Sequence, residues 1–216
     1  MPLVNGQLFD DKVLCPAHAA GFSVVTGEPE SAPGLDGIPT FGIVERDGKW
    51  FVQVPEGPLP KKVAMPLTKR DPEDKRHFVI VGGGPAGLNC AETLRQSGFT
   101  GQISVYGKEG VIPYDRTMLS KVLPTGNPDK LSLRPEDYLK DADIDYKLGG
   151  KGAVFSINTE KRKIITHAGD HVEYDKLLIA TGCEPFFPPV ENLGKNVREV
   201  PKNVHFLRTA KDMLTI

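Results

Sequence analysis

The sequence predicts a chain in two parts. A small antiparallel all-β module comes first, and an α/β domain with a parallel sheet and a β-meander follows. Three observations carry this. A short apolar strand, "HFVIV" at residues 77–81, runs into the glycine-rich "GGGPAG" and then a helical segment. Before residue 58 there are only short β-rich runs between Gly/Pro turns. Between the two patterns, residues 58–76 hold four prolines and no hydrophobic period, so they read as an extended linker.

In the first part the runs are "KVLC", "GFSVVTG" and "TFGIVERDGKWFVQVPE". The last places "RDG" between two alternating runs, a hairpin signal. In the second part "PAGLNCAETLRQSG" predicts a helix ending at Gly98, and "QISVYG" the next strand. Strand, helix and strand at this spacing form a right-handed parallel unit. "RPEDYLKD" opens with proline and acids, as a short helix does. "GAVFSIN", "RKIITHAG" and "HVEYDKLLIAT" then predict a meander followed by a parallel strand.

Composition narrows the function. Of 216 residues, 39% are hydrophobic and 25% charged, which suits a water-soluble globular chain. The net charge of −1 gives no electrostatic reason to expect nucleic acid as a partner. It is unevenly spread: residues 1–57 sum to −5 and residues 58–76 to +3. The apolar runs are too short to span a bilayer. "MPLVNGQLFDD" has neither the basic nor the apolar region of a secretory leader. Cys15, Cys90 and Cys183 are too few and too scattered for a disulfide framework. They suit a reducing compartment, so an intracellular site, cytoplasmic or mitochondrial, is expected.

Gly82, Gly84 and Gly87 form G-x-G-x-x-G directly after a strand and before a helix. In such a Rossmann-like turn the first glycine permits the bend. The second lets a pyrophosphate approach, and the third lets helix and strand pack closely. Pro85 and Ala86 complete the loop, and the helix N-terminus offers free N–H groups to phosphates. Glu109 is the available carboxylate after the second strand, where an acid commonly holds ribose hydroxyls.

The glycine loop, "IPYDRTMLSK" and "KLLIATGCEP" together resemble the FAD domain of the ferredoxin-reductase and apoptosis-inducing-factor branch of the pyridine nucleotide-disulfide oxidoreductases. The resemblance covers roughly residues 77–210. It implies that Arg116 contacts the cofactor near its pyrophosphate. It implies that Lys121, in a catalytic role, sits by the reactive edge of the flavin, where a fixed cation stabilises the reduced ring. Ala180, Thr181 and Gly182 would pack on the flavin through main chain, and Val154 would meet the adenine. Where many relatives carry the ribose acid, Lys108 stands, with Glu109 one place later. No C-x4-C or C-x2-C pair is present, so dithiol reduction is not expected, and Cys90 and Cys183 read as small core residues.

"CPAHAAGF" resembles the second ligand loop, C-x-x-H, of a Rieske [2Fe–2S] domain, with Cys15 and His18 as metal ligands. The order of module, linker and FAD domain resembles Rieske-bearing members of the apoptosis-inducing-factor family. The resemblance implies that residues 1–57 are a partial Rieske domain holding the second ligand loop only. Residues 58–76 would be a linker, and 77–216 a first FAD segment that stops before an NAD(P)H domain. By this reading the chain is cut at both ends, and neither the C-x-H loop nor a second glycine loop is present. The expected cofactors are FAD and a [2Fe–2S] cluster. The expected function is electron transfer from NAD(P)H through FAD to the cluster or another acceptor. One rival reading is a non-catalytic fragment or interaction module that binds FAD weakly or not at all. Another is an ordinary dehydrogenase with NAD in the glycine loop.

Overall fold

The computed structural model describes residues 2–60, 62–122, 131–191 and 199–216, and the chain divides into two units, residues 1–66 and 67–216. The division falls inside the stretch read as a linker. Residues beyond it run along the second unit: the Thr68 amide donates to the Arg95 carbonyl (3.1 Å) and the Asp71 amide to the Thr100 carbonyl (2.9 Å).

In the first unit, β1 (Gln7–Phe9), β2 (Lys12–Leu14), β3 (Gly21–Ser23) and β4 (Pro29–Ser31) form an antiparallel sheet in that order. β5 (Gly42–Arg46) and β6 (Lys49–Gln53) form the expected hairpin. Asp47 and Gly48 at its tip have φ of 53° and 70°, the pair of positive values a two-residue primed turn requires. Ile43, Trp50 and Val52 remain exposed on the hairpin.

The second unit is layered. β7 (His77–Val81), β8 (Gln102–Gly107), β9 (Ile144–Leu148) and β13 (Lys176–Ile179) form a parallel sheet in the order β13-β7-β8-β9. Because side chains alternate along a strand, β7 faces two ways. Phe78 and Ile80 join Ala91 of α1 (Pro85–Gln96), with Phe99, Ile103, Val105 and Ile144. Val79 and Val81 join Tyr106, Ile164 and the meander of β10 (Val154–Asn158), β11 (Lys163–Thr166) and β12 (His171–Glu173) on the other face. Burial on both faces explains why β7 and β8 read as continuous apolar runs. α2 (Glu136–Asp141) leads into β9, which the sequence reading left out. A third cluster packs Tyr114, Leu119 and Leu131 against Ala210 and Met213 of α3 (Ala210–Thr215).

α1 ends as predicted, with Gly98 at φ 84° past the cap residue Ser97. Arg95, fully buried in its last turn, donates to the carbonyls of Ala142 (2.8 Å), Phe99 (2.7 Å), Gly101 (2.9 Å) and Asp143 (2.8 Å). One side chain thus joins α1 to the chain before β8 and before β9. One turn earlier in α1, Glu92 pairs with Arg134 at 2.5 Å, both buried.

Candidate functional site

The carboxyl ends of three parallel strands converge on the glycine loop. The Gly82 amide donates to the Tyr106 carbonyl at the end of β8 (2.7 Å), and the Ala180 amide after β13 donates to the Val81 carbonyl (2.7 Å). Gly82 has φ 134°, and a Cβ there would stand 2.1 Å from the Ala180 carbonyl oxygen. At Gly87 a Cβ would stand 2.0 Å from the Gly82 carbonyl oxygen. Gly83, which the sequence reading did not use, lies against Gly107, where a Cβ would meet its Cα at 3.2 Å. Any side chain at Gly82 or Gly87 would push the turn apart.

Gly84 differs. Around the position of its missing Cβ the nearest of these atoms is Arg116 Nη2, at 3.9 Å. Gly84 caps α1 with no side-chain bond, Pro85 is the first residue of the helix, and its first turn carries no acid. The Arg116 guanidinium therefore lies beside Gly84, the cap of a helix whose first-turn N–H groups have no partner inside the helix. Helix dipole and cation both favour an anion there, and the missing Cβ admits a phosphate to backbone contact. The residues fit the pyrophosphate of a dinucleotide.

Arg116 opens a short 3-10 turn (Arg116–Met118) capped by Asp115, whose side chain accepts from the Thr117 amide at 2.9 Å. Its Nη2 pairs with Glu109 Oε1. Its Nη1 donates to the Tyr114 hydroxyl (2.7 Å) and the Arg208 carbonyl (2.8 Å). Burial works against the Arg116 charge, but the bond to Glu109 offsets it and leaves the guanidinium above its usual range. Burial, then the bond to Glu109, pushes the Tyr114 phenol up to about 12.

Arg208 was not found from the sequence. Its Nε donates to the Cys183 carbonyl (3.1 Å), and its Nη2 lies 3.4 Å from where a Gly182 Cβ would be. It thus holds the chain just after the Ala180–Thr181–Gly182 turn. Its amide donates to Asp212 of α3 (3.0 Å).

The remaining expected residues are more dispersed. Lys121 is exposed and donates to the Thr117 carbonyl (2.6 Å), one turn back toward Arg116. Val154 opens β10 and packs with the cluster around Val79 and Ile164. Cys90 is half-buried against the core, and burial raises its thiol. Cys183 is exposed, which corrects the reading of it as a core residue: it follows the glycine turn, where the chain has left the sheet. In the first unit Cys15 and His18 share a tight loop, in which the Ala19 amide donates to the Cys15 carbonyl (2.9 Å) and Ala19 has φ 58°. Cys15 is half-buried and His18 exposed. Among the described residues no three or more His, Cys, Asp or Glu side chains gather as a metal site.

A parallel sheet with a glycine loop, helix N-terminus and arginine at its carboxyl end defines a Rossmann-like dinucleotide-binding domain. The chain belongs to the pyridine nucleotide-disulphide oxidoreductase family, whose model matches residues 76–215. It is 34% identical over 223 aligned positions to apoptosis-inducing factor 3 of Homo sapiens, covering 98% of this chain and 34% of that protein. It is 38% identical over 123 residues to the 3-phenylpropionate/cinnamic acid dioxygenase ferredoxin–NAD(+) reductase component of Photorhabdus laumondii, covering 56% of this chain and 30% of that one. Among solved structures, that of the covalent putidaredoxin reductase–putidaredoxin complex superposes with a TM-score of 0.57 at 31% identity, covering 65% of this chain and 33% of that chain. The chain spans about a third of the length of these relatives. No described helix is long and apolar enough to cross a membrane.

Proposed function

We propose that residues 67–216 hold FAD, and that the protein passes electrons from NAD(P)H to an iron–sulfur or other acceptor. The observation that carries this is the Arg116 guanidinium set beside Gly84 at the uncapped N-terminus of α1. Gly82, Gly84, Pro85, Ala86 and Gly87 would cradle the pyrophosphate, with Arg116 as its counter-cation. Arg208 would hold the Ala180–Gly182 turn in place beside the ring. Glu109 takes the ribose contact only in part, because its carboxylate is engaged by Arg116 and Tyr114. Lys121 supplies a cation for the reduced ring, and Val154 an apolar wall for the adenine. When bound, the flavin supplies the redox chemistry, accepting a hydride and releasing electrons singly. The ferredoxin–NAD(+) reductase and apoptosis-inducing factor 3 relatives favour this reading over an NAD-binding dehydrogenase.

For the first unit, Cys15 and His18 are proposed as one half of a Rieske ligand set, with residues 1–57 as part of that domain. Four ligands are needed, and the described residues of this unit offer two.

Titrating the purified chain with FAD and following flavin fluorescence tests the first proposal. Saturable quenching at one FAD per chain is expected, and it should be lost in Arg116→Ala. Equal quenching by FMN, which lacks the adenylate and the pyrophosphate link, would argue against a dinucleotide site.

A further inference from the structure

We propose that Tyr114 is a positioning residue that sets the Arg116 guanidinium over the glycine loop and couples it to the docking of α3. This rests on the FAD reading above and assigns a device within that site.

The Tyr114 side chain is buried, at 4% exposure, and its hydroxyl is saturated. It donates to Glu109 Oε2 (2.6 Å) and accepts from Arg116 Nη1 (2.7 Å) and the Ala210 amide (3.0 Å). One proton and two lone pairs are all a phenol has, so no capacity is left over. The three partners come from three places: the turn after β8, the 3-10 turn, and the first residue of α3. A buried tyrosine serving packing alone needs one partner. This one has a carboxylate, a guanidinium and a helix amide on a single oxygen.

The bonds dictate a direction. Glu109 and Tyr114 hold Arg116 from one side, and the Arg208 carbonyl holds Nη1 from the other. Nη2 spends one hydrogen on Glu109, and the same nitrogen lies 3.9 Å from where a Gly84 Cβ would be. The guanidinium is therefore aimed before any ligand arrives. The Ala210 amide is an end group of α3 with no partner inside that helix, so the Tyr114 oxygen also caps it. Loss of the hydroxyl removes one bond from Arg116, which keeps Glu109 and the Arg208 carbonyl, and one from α3, which keeps its Thr209–Asp212 capping box. Conversely, ligand held at Arg116 tightens α3 through the same oxygen.

Tyr114→Phe removes the oxygen and keeps the ring among Leu119, Leu131, Ala210 and Met213. In the full chain it should weaken FAD binding about tenfold or more, the worth of a lost bond to a charged group. In an Arg116→Lys background the same change should cost less than about twofold, because the hydroxyl acts through Arg116. Without FAD, hydrogen exchange at the Ala210 amide should speed by about tenfold in Tyr114→Phe. If Tyr114→Phe does not fold, Arg116→Lys alone must still speed Ala210 exchange. Wild-type affinity in Tyr114→Phe, additive losses in the double variant, or unchanged Ala210 exchange would each overturn the proposal. A wild-type chain that takes up no FAD overturns the flavoprotein reading instead. The coupling to α3 then stands or falls on the exchange rate.

Discussion

A methyl group on Gly87 would stand 2.0 Å from the Gly82 carbonyl oxygen, while one on Gly84 would meet only the end of the Arg116 side chain at 3.9 Å. Two glycines of one motif thus have separable roles. Gly87→Ala should destabilise the domain by at least about 2 kcal/mol, since backbone must move to admit the methyl. Gly84→Ala should unfold within about 1 kcal/mol of wild type yet bind FAD on the order of tenfold more weakly, because the methyl occupies the approach of the phosphates. Urea unfolding and flavin titration of the two variants separate these effects.

The buried Glu92–Arg134 pair predicts a different asymmetry. Both side chains are nearly inaccessible, and the Arg134 guanidinium also lies 4.7 Å over the Tyr138 ring. Glu92→Ala leaves a buried cation with its carboxylate removed and should cost about 3–5 kcal/mol in urea unfolding. Glu92→Leu with Arg134→Met should recover much of that loss, because the desolvated charges go together.

Asp74 gives a pH signature. Its bond to the Arg76 guanidinium (2.6 Å), then its bond from the Thr100 hydroxyl (2.8 Å), hold its carboxyl well below the usual carboxylate range. A depressed folded value means the contribution is complete above the ordinary value of 3.8 and is lost as pH falls through the folded value. The stability gap between wild type and Asp74→Asn should therefore be constant from about pH 5 to 8 and close only below about pH 4. A gap that changes near neutrality would contradict this assignment. The comparison is made by urea unfolding at each pH.

Lys121 is exposed, so Lys121→Ala should leave thermal stability within about 0.5 kcal/mol of wild type. If it lies at the flavin edge, bound flavin in the variant should show a shifted absorption band and a lower midpoint potential. Unchanged spectrum and potential would remove Lys121 from the site.

Much of this was legible in the sequence. The β7–loop–α1–β8 unit announces itself by apolar runs and glycine spacing, because strands buried on both faces leave little room for polar residues. The meander and the "RDG" hairpin follow from two-residue periodicity and turn chemistry. β9 was missed because "IDYKL" is half polar, as suits the sheet edge where Asp145 and Lys147 pair at 3.0 Å. Arg208 and the Tyr114 network were not legible. Arg116 meets the Arg208 carbonyl across 92 residues of chain, and Tyr114 meets the Ala210 amide across 96. No local spacing encodes such contacts. Cys183 misled because the lack of a nearby cysteine partner, from which it was read as a small core residue, says nothing of burial, and it is exposed.

FAD binding by the glycine loop, α1 and Arg116 is the proposal on which the other site assignments depend. The most direct test is the absorption spectrum of the chain after reconstitution with FAD and removal of unbound flavin, with the nucleotide then released by heat and identified. Flavin bands near one equivalent per chain and release of intact FAD are expected. A colourless chain, or release of NAD in its place, would contradict the proposal.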